Sequence, residues 1–114
     1  MINLLADREV LVASRSWQEL SPGVRISPLY HNDAGEALAA LLHYGPGARV
    51  ARHRHTGFEH ILILEGTQQD GHILYKSGDL VVHRPGTEHD IFSPNGCLAL
   101  AIWERPVIFT PGRE

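Results

Sequence analysis

Short apolar runs alternate along the chain with clusters of Gly, Pro, Asn and Asp. The runs are Val24–Tyr30, Leu38–Tyr44, Phe58–Leu64, His72–Tyr75, Leu80–His83 and Cys97–Trp103. Between them stand Asn32-Asp33-Ala34-Gly35, Gly45-Pro46-Gly47, Asp70-Gly71, Ser77-Gly78-Asp79, Arg84-Pro85-Gly86 and Ser93-Pro94-Asn95-Gly96. Apolar runs of this length, punctuated by residues that tolerate tight turns, predict an all-β sandwich or barrel with hairpin-like corners. Glu36-Ala37-Leu38-Ala39-Ala40-Leu41-Leu42 has the composition of a good helix former. It is nevertheless read as a strand, because a turn precedes it, Gly45-Pro46-Gly47 cuts it off, and tertiary pairing overrides propensity. Residues 1 to 20 are expected to form extended structure or one short helical turn, with Trp17 and Leu20 packed on the outside of the barrel. With no repeat strong enough to argue from and no linker, residues 1–114 read as one domain whose first 20 residues are an extension packed on that barrel.

The run through Glu59 carries a further consequence. By the period of two, Glu59, Ile61 and Ile63 share one face, which leaves Leu62 and Leu64 on the other. Both faces of that strand are apolar. The outward one must be covered by the N-terminal segment or by a second subunit, and a homodimer is expected.

Composition narrows the class. A chain of 114 residues suits one compact domain, and 43% hydrophobic with 20% charged residues suits a soluble globular core. The formal net charge of -3 offers no basic surface for phosphates, so nucleic acid is not an expected partner. One cysteine excludes an internal disulfide and any thiolate cluster. Cys97 opens an apolar run and reads as a buried, inert thiol. The N-terminus has no basic region followed by an apolar stretch, and no run approaches the roughly 18 apolar residues of a spanning helix, so a cytoplasmic location away from membranes is expected.

The histidines carry the chemistry. Six of the eight lie between residues 53 and 89. Alternate residues of an extended segment point the same way, so His53 and His55 can present their rings to one point. Glu59 opens the next strand on the face of Ile61 and Ile63, where a carboxylate needs a partner and a cation is the simplest one. His89 follows the turn Pro85-Gly86-Thr87-Glu88, and folding of an antiparallel barrel would bring it to the same place. Three imidazoles and a carboxylate suit Zn, Fe, Mn, Ni, Cu or Co rather than Ca. His60 should face away from the pocket, His72 sits in a turn, and His31 and His43 have no partner at motif spacing. His83 reads either as a group supporting the site or as a strand surface residue. Arg49, Arg52 and Arg54 read equally as guides for an anionic substrate or as a solvated face.

Gly47-x5-His53-x-His55-x3-Glu59-x6-Gly66 resembles the first motif of the cupin superfamily, and Gly78-x6-Pro85-Gly86-x2-His89 resembles the second, with Ser93 where many cupins have Asn. The resemblance implies a double-stranded β-helix, or jelly-roll barrel. It also implies that His53, His55, Glu59 and His89 bind one divalent metal. Pro46-Gly47-Ala48, His53-Arg54-His55-Thr56-Gly57-Phe58-Glu59, Ile63-Leu64-Glu65-Gly66, Pro85-Gly86 and Gly96-Cys97 narrow it further. These look like the zinc-binding C-terminal cupin of ChrR-type anti-sigma factors. Such proteins hold the sigma factor with a separate N-terminal helical domain, and nothing in residues 1 to 46 resembles it, so sigma binding is not expected.

Two functions follow from this set. The first is a metal-dependent, dioxygenase-like oxidoreductase acting on a small molecule with an enol, carbonyl or carboxylate, with Zn or Fe(II) as the foremost ions. In it Glu59 is both a ligand and, off the ion, a catalytic proton acceptor. The second is a sensing or structural module of the ChrR type, closed around zinc.

Overall fold

The computed structural model describes residues 1–106 and the backbone of residues 108–109. One short helix, α1 (Arg8–Ala13), precedes the strands β1 (Gln18–Ser21), β2 (Val24–His31), β3 (Ala37–Tyr44), β4 (Arg49–Arg54) and β5 (Glu59–Asp70). There follow β6 (Ile73–Lys76), β7 (Leu80–His83), β8 (Glu88–Phe92), β9 (Cys97–Trp103) and β10 (Ile108–Phe109). All pairings among them are antiparallel, in the order β1-β2-β3-β9-β5-β8-β4-β10, with β6 and β7 also paired to β5. The all-β reading holds, and the strands form a nearly closed barrel.

The spine is β5, which serves two layers. Its first half pairs with β7 and β9, and its second half with β6 and, at Gln69, with β8. The ladder with β9 slips between Ile63 and Glu65 and ends at Gly66, after which β6 takes over from Thr67. Gly66 has φ +81°, and a Cβ built there would lie 2.0 Å from the Gly96 carbonyl oxygen. Only glycine fits a left-handed backbone pressed so closely on its neighbour.

Two apolar clusters follow from the alternation. The interior one gathers Val24, Leu42, Tyr44, Val50, Ile61, Ile63, Ile91 and Ala99. The outer one sets Leu11 of α1 against Leu41, Leu64 and Leu98, with Trp17 and Leu62 packed on it. The helix-forming composition of β3 is therefore overridden by burial on both faces, Leu42 inward and Leu41 outward, between β2 and β9. Asp7 caps α1, accepting from the Glu9 amide at 2.9 Å, and Trp17 Nε1 donates to the Val12 carbonyl at 2.9 Å.

Three expectations need correction. Leu20 does not pack on the outside of the barrel: it is 38% exposed and lines the interior cavity, carried there by β1, which pairs with β2. Strands β4 and β8 escape a search for apolar runs, since each buries only one aliphatic residue, Val50 or Ile91, beside one histidine, His53 or His89, with charged residues between. Strand β5 continues past Leu64 to Asp70, carried through the bend by Gly66. The outward face at Leu62 and Leu64 is covered from within the chain, by Leu11 and its neighbours.

Candidate metal centre

The register of the ladders assembles the site. On β4, His53 stands opposite His89 of β8, while Glu59, the first residue of β5, stands opposite His83 on one side and Trp103 on the other. His55 lies one residue beyond β4. Its backbone is tied to the following turn, its N–H donating to the Thr87 carbonyl at 3.0 Å and its carbonyl accepting from Gly86 at 2.8 Å. Alternation turns His53 and His55 inward and leaves Arg52 and Arg54 in solvent. The four residues singled out by spacing, His53, His55, Glu59 and His89, are all buried, and one atom from each lies within 4.8 Å of the others.

Each ring is held by the nitrogen that faces away from the centre. His53 Nδ1 donates to the Ala51 carbonyl at 2.9 Å and His89 Nδ1 to Asp70 Oδ2 at 2.8 Å. His55 Nδ1 lies 2.8 Å from Thr87 Oγ1, whose own proton goes to the Arg84 carbonyl at 2.6 Å, so the hydroxyl accepts from the imidazole. Three acceptors thus fix three Nδ1–H tautomers and aim three Nε2 lone pairs inward. Trp103 Nε1 donates to Glu59 Oε2 at 2.5 Å, which leaves Oε1 for the centre.

The protonation states agree. Burial pushes the His53 imidazole below its ordinary pKa, and burial together with neighbouring His53 lowers His89 to about 4. Both are neutral near pH 7. Burial works against the Glu59 charge and the Trp103 N–H at its Oε2 works for it, and the carboxyl is held below its ordinary value. His53 Nε2 and His89 Nε2 lie 2.9 Å apart, lone pair toward lone pair, and His55 Nε2 faces Glu59 Oε1 at 3.1 Å with no hydrogen-bond partner among the described residues. Such an array is repulsive by itself. A cation between the donors removes the conflict, so the residues present fit a metal ion.

Beside the donors lies a cavity of about 40 Å³, walled by Leu20, Leu42, Val50, Ile61, Ile91 and Trp103 and reached by His53, Glu59, His83 and His89. A larger groove of about 560 Å³ runs between α1 and the Gly45–Pro46 and Asn95–Gly96 turns, and contains none of the four site residues. It touches Cys97, whose thiol is buried and pushed up to about 12 by that burial, in keeping with an inert role.

The remaining charged candidates fall outside the site. His31, His60 and His72 are exposed, and His43 sits against Trp17 and Arg25 on the outer surface. Arg49 pairs with Asp90 at 3.0 Å and Arg52 with Glu88 at 3.4 Å, so both belong to a solvated outer face and do not line the cavity. His83, by contrast, faces inward: its Nε2 is 3.8 Å from Glu59 Oε1 and its ring stacks on His55 at 5.0 Å. Asp70, Thr87 and Trp103 were not anticipated. Asp70 and Trp103 end strands and Thr87 sits in the turn before His89, and the role of each depends on cross-strand register.

A model of the ChrR cupin-like domain matches residues 6–105. The chain belongs to that family. The anti-sigma-E factor ChrR of Cereibacter sphaeroides is 34% identical over 95 residues, covering 82% of this chain and 44% of that protein. This ChrR-like cupin thus spans less than half the length of the curated relative it matches. The crystal structure of Rhodobacter sphaeroides SigE in complex with the anti-sigma ChrR superposes with a TM-score of 0.68 at 32% identity, over 77% of this chain and 48% of that one. An acetylacetone dioxygenase from Acinetobacter johnsonii shares the fold, with a TM-score of 0.71 at 15% identity over 79% of this chain and 65% of that one. No helix among the described residues is long and apolar enough to cross a membrane.

Proposed function

We propose that this ChrR-like cupin holds one divalent transition metal ion through His53, His55, Glu59 and His89 and turns it toward a small molecule as a dioxygenase-like oxidoreductase. The observation that carries this reading is the pair of Nε2 atoms 2.9 Å apart, both rings neutral and both anchored through Nδ1, at the wall of an apolar cavity. When bound, Fe(II) supplies redox and Lewis-acid chemistry, and Zn(II) Lewis acidity alone. The chain does the rest. His53, His55 and His89 give neutral donors. Trp103 keeps Glu59 Oε2 occupied, so that Oε1 binds the ion or, released from it, accepts a proton from a substrate in the cavity. Leu42, Val50, Ile61 and Ile91 exclude bulk water from the space beside the donors. That space holds only a few heavy atoms, which favours a small enol, carbonyl or carboxylate end over a bulky substrate.

A second reading rests on the 34% identity to the anti-sigma factor ChrR: a zinc-bound sensing or structural module in which the ion stabilises the barrel. Elemental analysis of protein purified without a metal-affinity tag separates the two. Dominant iron supports the oxidoreductase, and stoichiometric zinc that no small anion can reach supports the module. A preparation that binds no transition metal, even when reconstituted, sinks both.

A further inference from the structure

His83 is the last residue of β7 and belongs to neither motif, yet it lines the cavity, brought there by its pairing opposite Glu59. It is not one of the donors. The ligand atoms of His53, His55, Glu59 and His89 all lie within 4.8 Å of one another, whereas His83 shares such a group only with Asp70 and His89. Its ring lies 13° from parallel to that of His55, with centroids 5.0 Å apart, so the two imidazoles run side by side and do not converge on one point. What His83 meets is the carboxylate. Its Nε2 lies 3.8 Å from Glu59 Oε1, the oxygen that Trp103 leaves for the centre. That gap is too long for a hydrogen bond, but it fits a third atom in contact with both. Neighbouring positions on an ion with bonds of about 2.1 Å lie about 3.0 Å apart, and an N–H···O bond spans about 2.9 Å. A ligand atom placed beside Oε1 is thereby within reach of His83 Nε2.

The hydrogen-bond inventory of the centre points the same way. The N–H groups of His53, His55 and His89 are turned away to Ala51, Thr87 and Asp70, and that of Trp103 goes to Glu59. None of them is left for a ligand. A neutral imidazole supplies one N–H, and with the proton on Nε2 that of His83 faces the space beside Oε1. Its side chain is 13% exposed, against 1% for His55, 6% for Glu59 and 7% for His89, so it stands on the open side of the cluster.

We infer that His83 binds the incoming ligand and not the ion: its Nε2–H donates a hydrogen bond to a small anion that enters the cavity beside Glu59. The inference rests on the metal-binding reading above and names the class of ligand within it. A carboxylate or enolate oxygen accepts from His83, whereas a neutral ligand without an acceptor gains nothing from it.

The test is an azide titration of the Co(II)-loaded protein, followed by the visible absorption of the ion, with Co(II) affinity measured separately by chelator competition. His83→Phe keeps a ring against His55 and deletes the N–H, and His83→Leu deletes both, so that either variant decides if the other folds poorly. Each should bind azide about 10- to 100-fold more weakly than the wild type, the loss of one hydrogen bond to an anion, with Co(II) affinity close to that of the wild type. His83→Gln sets an amide N–H near the place of Nε2 and should recover part of the loss. Unchanged azide affinity in the deletions overturns the inference, and so does a His83→Gln variant no better than they are. A fall in Co(II) affinity that matches the fall in azide affinity also overturns it, since His83 then acts through the ion. Wild-type protein that binds Co(II) but shows no spectral response to azide removes the inference and leaves the metal reading standing. Failure of the wild type to bind Co(II) removes both.

Discussion

At the scale of single residues, the centre depends on groups that never touch the ion. Trp103 is the sharpest case, because its N–H takes up Glu59 Oε2 and thereby selects the oxygen that faces the three imidazoles. Trp103→Phe keeps the ring and deletes the donor. Metal affinity should fall about 10- to 100-fold while the melting temperature of the metal-free protein changes little. A chelator competition that gives the wild-type constant would refute this. Acid acts on the same groups with a definite sign. His89 titrates near 4 in the folded protein against 6.5 for a free imidazole, and His53 and His83 are lowered too, each chiefly by burial. The unfolded chain therefore binds these protons first. The stability they protect is fully present above about pH 6.5 and is lost as pH falls towards about 4, and the lowered Glu59 adds to the loss further down. Denaturant midpoints of the metal-free protein should drop between pH 7 and pH 5. A flat profile there would mean that the rings are not buried neutral. His53, His55 and Glu59 were linked by local spacing, whereas His89, thirty residues after Glu59, was linked to them only through the expected barrel. Asp70, Thr87 and Trp103 were not legible, since their partners lie 19, 32 and 44 residues away and only strand register names them.

At the scale of elements, the bend in β5 is what lets one strand bring Glu59 to the centre at its start and Asp70 to the back of His89 at its end. Gly66 makes that bend, so Gly66→Ala combines a left-handed backbone with a clash against the Gly96 carbonyl. A loss of at least about 2 kcal/mol in urea unfolding is expected, and a variant within 0.5 kcal/mol or so of wild type would show that the ladder can shift around the added methyl. The sequence announced most strands through their apolar runs and turn residues. Strands β4 and β8 showed no apolar run, because each buries one aliphatic residue and one histidine, Val50 with His53 and His89 with Ile91, among charged neighbours; at β4 only the alternation of His53 and His55 pointed to extended chain. Composition pointed the wrong way at β3, where burial between β2 and β9 overrides helix propensity.

At the scale of the whole molecule, α1 and the residues before it cover only part of the outer face. The ladders place His60 level with Val82 and Ile102, and Leu62 level with Leu80, so these residues line one outward surface. On it Leu80, Val82 and Ile102 are 62%, 50% and 41% exposed. A homodimer joined across this surface is expected, and Val82→Glu should convert it to monomer in sedimentation at micromolar concentration. Wild-type protein that already sediments as a monomer would dispose of the idea. The placement of the two tryptophans has a practical use. Trp103 touches the carboxylate of the centre, whereas Trp17 lies under α1 on the outer face, beside His43. A paramagnetic ion entering the barrel quenches the first indole far more than the second, so the molecule carries its own optical gauge of occupancy together with a built-in reference channel.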